Sequence, residues 1–393
     1  MRPSLILAPG KEKAVLRRHP WIFSGAVRRV SGKPQPGDIV DVYAADGSWL
    51  AAGHYQEESI VCKVLSFDTR DVDPAEHPGF WRERVEQAVA YRRRLGFLDS
   101  GETNVFRLVH AEGDFLPGLV ADYYNGIVVL QAHSAGMHRA MPLLTQLFTE
   151  ALPLQALFDK SSNTLPGGDV EDGYLWGIEP DEWEICEHGC RMRINFYEGQ
   201  KTGFFIDQRE NRHLVSQLAA GRRVLNCFGY TGGFSLGALQ GGADYVETVD
   251  ISRKAIELAN RNVELNFGGD APHKGVVADV LQYLAEVSDR FDLIILDPPA
   301  FAKNHRSLQQ GLKGYRSINQ RAMEMIRPGG LLLTFSCSQA VSRDDFQTVC
   351  FTAAANAKRR VRIVRQLPHA MDHPVSIYHP EGEYLKGLLL QVE

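Results

Sequence analysis

The chain has no apolar run long enough to cross a bilayer, which takes about 20 consecutive apolar residues. Its first apolar stretch, Leu5 to Ala8, is far too short for a secretory leader. Cysteine is scarce and scattered. Of six cysteines only Cys186 and Cys190 lie close together, and no second pair completes a zinc or disulfide framework, so no metal is expected. A reducing cytoplasm is the simplest compartment. Two phosphate-binding signatures are also missing. There is no Walker A motif, and the dinucleotide pattern fails because the positions that should all be glycine hold Gly229, Thr231 and Phe234. Nor is there a general excess of positive charge: the net charge is −5, which argues against an indiscriminate nucleic-acid binder.

What is present is ample for folding. A length of 393 residues suggests two or three domains, and a hydrophobic content of 44% supplies their cores. Charge is unevenly distributed. Residues 1–33 carry eight Lys/Arg and one acid, +7, whereas residues 161–188 carry eight acids and no Lys/Arg, −8. A local basic arm can hold phosphates on a protein that is acidic as a whole.

The chain is organised around Arg222 to Ser338. Val224–Cys227, Tyr245–Val249, Val276–Val277, Phe291–Leu296 and Leu331–Phe335 are apolar runs separated by helical segments, the pattern of parallel βαβ units. They end, in order, at the turn Gly229-Tyr230-Thr231-Gly232-Gly233, at Asp250, at Asp279, at Asp297-Pro298-Pro299 and at Ser336-Cys337-Ser338. Ligands of open α/β sheets bind at these carboxyl ends. One acid there could merely cap a helix; four such ends together indicate a site. Ser252 is the expected N-cap of a helix over 253–266.

A cofactor without phosphates fits this pattern better than NAD. Asp250 lies one βα unit beyond the turn, where an acid can accept both ribose hydroxyls, and Asp279 is placed to meet an adenine amino group. The expected ligand is S-adenosyl-L-methionine, held by Asn226, Phe228, Gly229, Tyr230, Thr231, Gly232, Gly233, Asp250, Ser252, Asp279 and Asp297.

The motif N-C-F-G-Y-T-G-G-F, the two acids and D-P-P-A-F resemble those of the class I methyltransferases. The chain is similar to one family in particular: the bacterial large-subunit (23S) ribosomal RNA 5-methylcytosine methyltransferases that carry an N-terminal PUA domain. R-R-H-P-W-I-F-S-G-A-V (17–27), K-T-G-F-F-I-D-Q-R-E-N-R (201–212) and residues 372–383 carry that likeness. The last includes Tyr378-His379-Pro380-Glu381-Gly382, with a histidine inside the motif. The resemblance spans nearly the whole chain. It implies an α/β fold with a C-terminal Rossmann-like methyltransferase domain (184–393), preceded by a small β-rich PUA domain (1–72) and an α+β middle domain (73–183). It also implies a large-subunit rRNA partner, no membrane, and Gln208 and Arg209 near the methionine end of the cofactor.

Within the first domain, 38–43 and 49–55 read as a hairpin around Asp46-Gly47. Arg17, Arg18, Trp21 and, farther on, Lys201 are the candidate RNA contacts; burial of Trp21 in a small core is an equal expectation. In the middle domain, 80–95 and 137–152 read as helices and 105–109, 116–121 and 127–132 as strands. The acidic 161–182 stretch reads as a loop. Residues 184–197 alternate like a hairpin, and Asp207 is the expected N-cap of the helix that follows. A helix over 344–358 and strands over 361–367 and 384–392 close the chain; a homodimer is possible.

The chemistry of the target discriminates among methyltransferases. Exocyclic nitrogen targets usually pair Asp/Asn-Pro-Pro with a following Tyr or Phe, but here Ala300 follows and Phe301 is one place late. Carbon 5 of cytosine becomes nucleophilic only after a thiolate adds to carbon 6. Cys337, at the end of the strand beside that of Asp297, can supply the thiolate, and Asp297 can bond the protonated ring nitrogen. Taken alone, Cys337 would be a small buried apolar residue; Cys227 is read that way. Many RNA 5-methylcytosine enzymes have a second cysteine directly after the prolines. Ala300 stands there, as the resembled family, with its single later cysteine, implies. Alternatives stay open: an RNA methyltransferase acting on nitrogen or guanine, a non-catalytic RNA-binding assembly factor, or a small-molecule methyltransferase.

Overall fold

The structure is a computed structural model describing residues 2–165, 170–179, 183–197, 199, 201–286 and 291–393. The chain forms two compact units: Met1–Asp181 with Met371–Gly382, and Glu182–Ala370 with Glu383–Glu393.

The first unit contains two sheets. The six-stranded one runs Trp21–Phe23, Ile60–Ser66, Trp49–Tyr55, Ile39–Tyr43, Ser4–Leu7 and Val27–Ser31. The expected hairpin is there, with Val40 opposite Gly53 and Val42 opposite Ala51. Its alternating positions bury Leu5, Leu7, Val40, Val42, Cys62 and Val64 in one core. The second sheet runs Gly173–Gly177, Ala156–Asp159, Ile127–Ala132, Leu119–Tyr124 and Val105–His110. The helix Pro78–Arg94 buries Trp81, Val85, Ala88 and Val89 in a core shared with this sheet.

Three expectations change here. The single helix over 137–152 is two, Ala135–Arg139 and Met141–Ala151, because Pro142 occupies the first turn of the second and cannot donate a backbone hydrogen bond. The strand expected from Leu116 begins at Leu119, after the 3-10 turn Ala111–Asp114 and a left-handed Phe115. The acidic stretch is not loop throughout. Its segment Gly173–Gly177 pairs with Ala156–Asp159, although parts of the stretch, 166–169 and 180–182, lie outside the described residues.

The second unit is built on a seven-stranded sheet ordered His273–Val277, Tyr245–Asp250, Arg223–Cys227, Leu293–Leu296, Gly330–Ser336, Lys386–Val392 and Val361–Leu367. The first five are parallel, in the doubly wound order 3-2-1-4-5, and the last two pair antiparallel. Being covered on both faces, the central strands are continuously apolar: Leu293, Ile294, Ile295 and Leu296 are all fully buried. The hairpin Glu184–Glu187 with Cys190–Arg193 precedes the sheet. Ser252 caps the helix Arg253–Phe267 by accepting from the Ala255 amide. Leu296 pairs with Thr334, so Asp297 and Cys337 leave adjacent strands at the same sheet edge.

Candidate active site

The first loop follows Arg223–Cys227 and is unusually bent. Phe228 and Tyr230 have φ of 60° and 38°, a conformation side chains rarely adopt, and Gly232 has φ 84°. The turn is held by the Gly229 amide on the Val249 carbonyl (3.1 Å) and the Gly232 amide on the Gly229 carbonyl (2.8 Å). A Cβ at Gly229 would stand 2.2 Å from Thr248 Cγ2, so only glycine fits against the neighbouring strand. Thr231 is buried and its carbonyl accepts from Asn262. The helix Gly233–Gln240 starts where the turn ends.

Asp250 braces this loop. Its Oδ2 accepts from the Tyr230 amide at 3.1 Å and its Oδ1 from the Ser252 amide at 2.8 Å. Asp279 is exposed, and its Oδ1 accepts from the Gln282 amide at the start of the helix Val280–Glu286. Each carboxylate oxygen has a second lone pair, so neither acid is exhausted by its bond. Under the loop runs a polar chain: Asn226 donates to Ser235 Oγ (2.9 Å), which meets Thr248 Oγ1 (2.6 Å), which meets His273 Nε2 (2.7 Å). Burial depresses His273 to about 4, so this ring is neutral. Asn226 Oδ1 is buried without a hydrogen-bond partner among the described residues.

These residues fit S-adenosylmethionine. The loop offers a close backbone approach, two carboxylates with acceptor capacity, and an orphaned amide oxygen. It offers no cluster of cations for a pyrophosphate. An anionic rim suits a ligand carrying a sulfonium and an ammonium.

The second half of the site gathers around Asp297. Its Oδ1 accepts from Gln208 Nε2 at 3.0 Å, and Gln208 in turn accepts from Asn211 at 2.6 Å. Burial, and secondly the nearby Asp207, push the Asp297 carboxyl up to about 7; the Gln208 amide, Lys201 and Arg212 pull the other way. Half-buried Cys337 places its thiol 3.8 Å from the Pro298 carbonyl. Burial, then Asp297, raises that thiol to about 11, with Lys201 opposing. The resting sulfur is therefore a thiol, and it needs a local acceptor for its proton before it can attack. Cys227 is fully buried in the sheet core, the role expected of it.

Several placements differ from expectation or were not anticipated. Asp207 caps no helix. Its Oδ2 accepts from Lys201 Nζ (2.8 Å) and from the Tyr384 hydroxyl (2.6 Å), and Gln208 takes the cap position before Arg209–Leu218 without a side-chain cap bond. The ion pair wins because Asp207 is buried, where an unpaired carboxylate is costly. Lys201, a candidate RNA contact, thus sits over the Phe205 and Tyr384 rings as part of this cluster. Arg209 is fully buried, 3.4 Å from Glu210. Phe301 packs between Phe228 and Tyr315 (6.4 and 4.8 Å), tied into the wall and not projecting as a stacking ring. Lys386 was not anticipated. Buried, it donates to the carbonyls of Ser338 (2.6 Å) and Tyr384 (2.7 Å), and burial lowers it to about 8. No local motif marks Tyr384 or Lys386; only the antiparallel return of the last strand brings them here.

The remaining RNA candidates lie in the first unit. Arg17 is exposed just beyond the short helix Lys13–Leu16. Arg18 is exposed and makes two hydrogen bonds to Asp68, at 3.0 and 2.8 Å. Trp21 donates its indole N–H to Glu112 at 2.8 Å and meets His379 edge-on at 4.3 Å, so its ring is packed and half-buried.

Residues 166–375 match the family of S-adenosylmethionine-dependent methyltransferases, and residues 5–67 match a PUA-like domain. Curated relatives named ribosomal RNA large subunit methyltransferase I align from end to end. That of Serratia proteamaculans is 40% identical, covering 100% of both chains. That of Klebsiella pneumoniae is 39% identical, covering 99% of this chain and 98% of its own. The chain belongs to their family. It is a methyltransferase with a PUA-like N-terminal domain and an S-adenosylmethionine cofactor. Among solved structures, SMU.776, a methyltransferase by designation complexed with SAH, superimposes with a TM-score of 0.86 over 99% of this chain and 100% of its own. At 22% identity that likeness speaks for the fold. Among the described residues no helix is long and apolar enough to cross a membrane.

Proposed function

We propose that this methyltransferase transfers a methyl group from S-adenosylmethionine to carbon 5 of a cytidine in 23S ribosomal RNA, through a covalent adduct of Cys337. The relatives' name supplies the substrate class. The pairing of Cys337 with an Asp297 of raised pKa at one sheet edge is the observation that carries the chemistry. On this reading residues 1–72 act as an RNA-binding module, 73–183 as a middle domain and 184–393 as the catalytic domain, apart from the segment Met371–Gly382, which belongs to the first unit.

When bound, S-adenosylmethionine supplies an electrophilic methyl group on a sulfonium. The glycine loop and Asp250 hold its nucleoside part, with Phe228, Ser252 and Asp279 around it. Gln208, locked by Asn211, orients the Asp297 carboxyl. With a pKa of about 7, Asp297 exists in both forms near neutrality. Its acid form gives a proton to ring nitrogen 3 of cytosine. The carboxylate left behind accepts the Cys337 proton as sulfur bonds to carbon 6, so one proton passes from sulfur to nitrogen and charge is conserved. Carbon 5 then takes the methyl group. Loss of the carbon-5 proton to a base and cleavage of the carbon 6–sulfur bond restore the aromatic ring, while the proton on nitrogen 3 returns through Asp297 to the departing Cys337 sulfur, so that one proton is released in all. A paired target has to leave its stack first, because a stacked carbon cannot meet both groups.

RNA containing 5-fluorocytidine tests the adduct, since fluorine cannot leave as a cation. A covalent protein–RNA complex that survives denaturing electrophoresis, requires S-adenosylmethionine and disappears in Cys337→Ala is expected. No complex with an active enzyme would sink the covalent route.

A further inference from the structure

A cavity of about 290 Å³ opens in the first unit, lined by none of the residues assigned above to the methyl-transfer site. Its walls come from five separate segments: Arg18 and Pro20, the end of Ile60–Ser66 with Phe67 and Asp68, the helix Pro78–Arg94, the turn around Phe115, and the returning segment Met371–Gly382. Three aromatic rings line it, those of Phe67, Phe115 and Tyr378. Phe115 is 50% exposed and Tyr378 47% exposed, so both rings offer apolar surface to a ligand. Phe115 is held outward by a left-handed backbone (φ 59°), a conformation costly for an aromatic residue.

The polar side is as distinctive. Arg84 sits with its guanidinium over the Phe80 ring at 5.1 Å and the Phe115 ring at 5.6 Å. Among the described residues it makes no hydrogen bond and no ion pair. Its planar fork is therefore fixed by stacking while its donors stay available. Arg18, by contrast, is neutralised by Asp68 at the rim and lies over Phe67 at 5.8 Å. Gln87 adds an amide to the wall.

From this arrangement we infer that the cavity captures one unstacked nucleotide of single-stranded RNA, its base between Phe115 and Tyr378 and its phosphate on Arg84. A flat base has apolar faces and a polar rim, which matches aromatic walls with an amide beside them. Bases of single strands are held by aromatic and guanidinium planes. The volume lies near the lower limit of small-ligand pockets, about 300 Å³, enough for one base with its sugar and too small for a helix. Asp68 and Glu112 also line the cavity, the first paired with Arg18 and the second with Trp21, which leaves Arg84 as the lining cation that makes no ion pair among the described residues and favours a phosphate-bearing ligand over an apolar peptide. The inference rests on the reading that RNA is the substrate, and it adds an anchoring point for a nucleotide other than the target.

The test uses the full chain and a short oligouridine bearing one central 2-aminopurine, whose fluorescence is quenched by stacking. Wild type is expected to quench it. Phe115→Ala and Tyr378→Ala should each bind about tenfold more weakly with little quenching, in line with one lost base–aromatic stack. Arg84→Gln should bind more weakly and with a shallower salt dependence. Both aromatic positions are half-exposed, and unchanged melting curves would confirm folding. Equal affinity and quenching in all three variants would overturn the pocket, as would displacement of the probe by an apolar peptide but not by mononucleotides. Methyl transfer to rRNA by wild type, measured alongside, separates the two claims. Activity with unaffected variants discards the pocket alone, whereas wild type that neither binds nor methylates RNA discards both.

Discussion

Asp297 carries a cost in stability that the proposed chemistry would require. Its carboxyl is raised to about 7 in the folded protein, by burial first and by Asp207 second, against an ordinary value near 3.8 when the chain is unfolded. The folded state therefore holds its proton more tightly than the unfolded state. Stability contributed at this residue is greatest below the ordinary carboxylate range, falls as pH rises toward about 7, and is flat above. Asp297→Asn should remove that fall. Its melting temperature, compared with wild type, should gain between pH 4 and pH 7, while methyl transfer is lost. Parallel pH profiles for the two proteins would show that Asp297 is not the group held protonated. Cys337 points the same way. A thiol raised to about 11 needs an acceptor for its proton before it can attack, and on the proposed mechanism that acceptor is Asp297 once substrate has taken its proton.

The elements around these residues are held by buried ion pairs. Arg212, on the helix Arg209–Leu218, makes a bidentate pair with Glu187 of the preceding hairpin at 2.6 and 2.7 Å, and both side chains are about 5% exposed. Arg212→Met would leave the Glu187 charge buried and alone, at a cost of ~3–5 kcal/mol. Urea unfolding should show that loss, and should show most of it recovered when Glu187→Leu is added; a loss below ~1 kcal/mol would mean the pair is solvated. Such pairings, made between residues far apart in the chain, leave no local pattern in the sequence. The parallel strands were legible because buried strands read as apolar runs and end on acids that catch the eye. Gly229, Asp250, Asp279, Asp297 and Cys337 all stand at the strand ends where they were expected. Asp207 was not legible, because its partner Tyr384 lies 177 residues away and a local cap was the nearer explanation. The helix Leu308–Met325 is hidden too: buried Gly311 and Asn319 interrupt the apolar stripe of Tyr315, Ile318, Ala322 and Met325. The return of Met371–Gly382 to the first unit leaves no trace in composition.

At the scale of the whole molecule, charge is segregated more than it is abundant. A net −5 coexists with +7 over residues 1–33. Binding to RNA through that arm should weaken steeply with salt. A log–log slope of roughly −3, the release expected for about four phosphates, is predicted from fluorescence titrations between low and physiological salt. A flat dependence would point to a small-molecule substrate. The central claim is tested most directly by methyl transfer from labelled S-adenosylmethionine to 23S rRNA taken from cells lacking this gene, with the product digested to nucleosides. Wild type should yield labelled 5-methylcytidine, and Cys337→Ala, with the cofactor still bound, should yield none. Any other methylated nucleoside, or full activity without the thiol, would contradict the account.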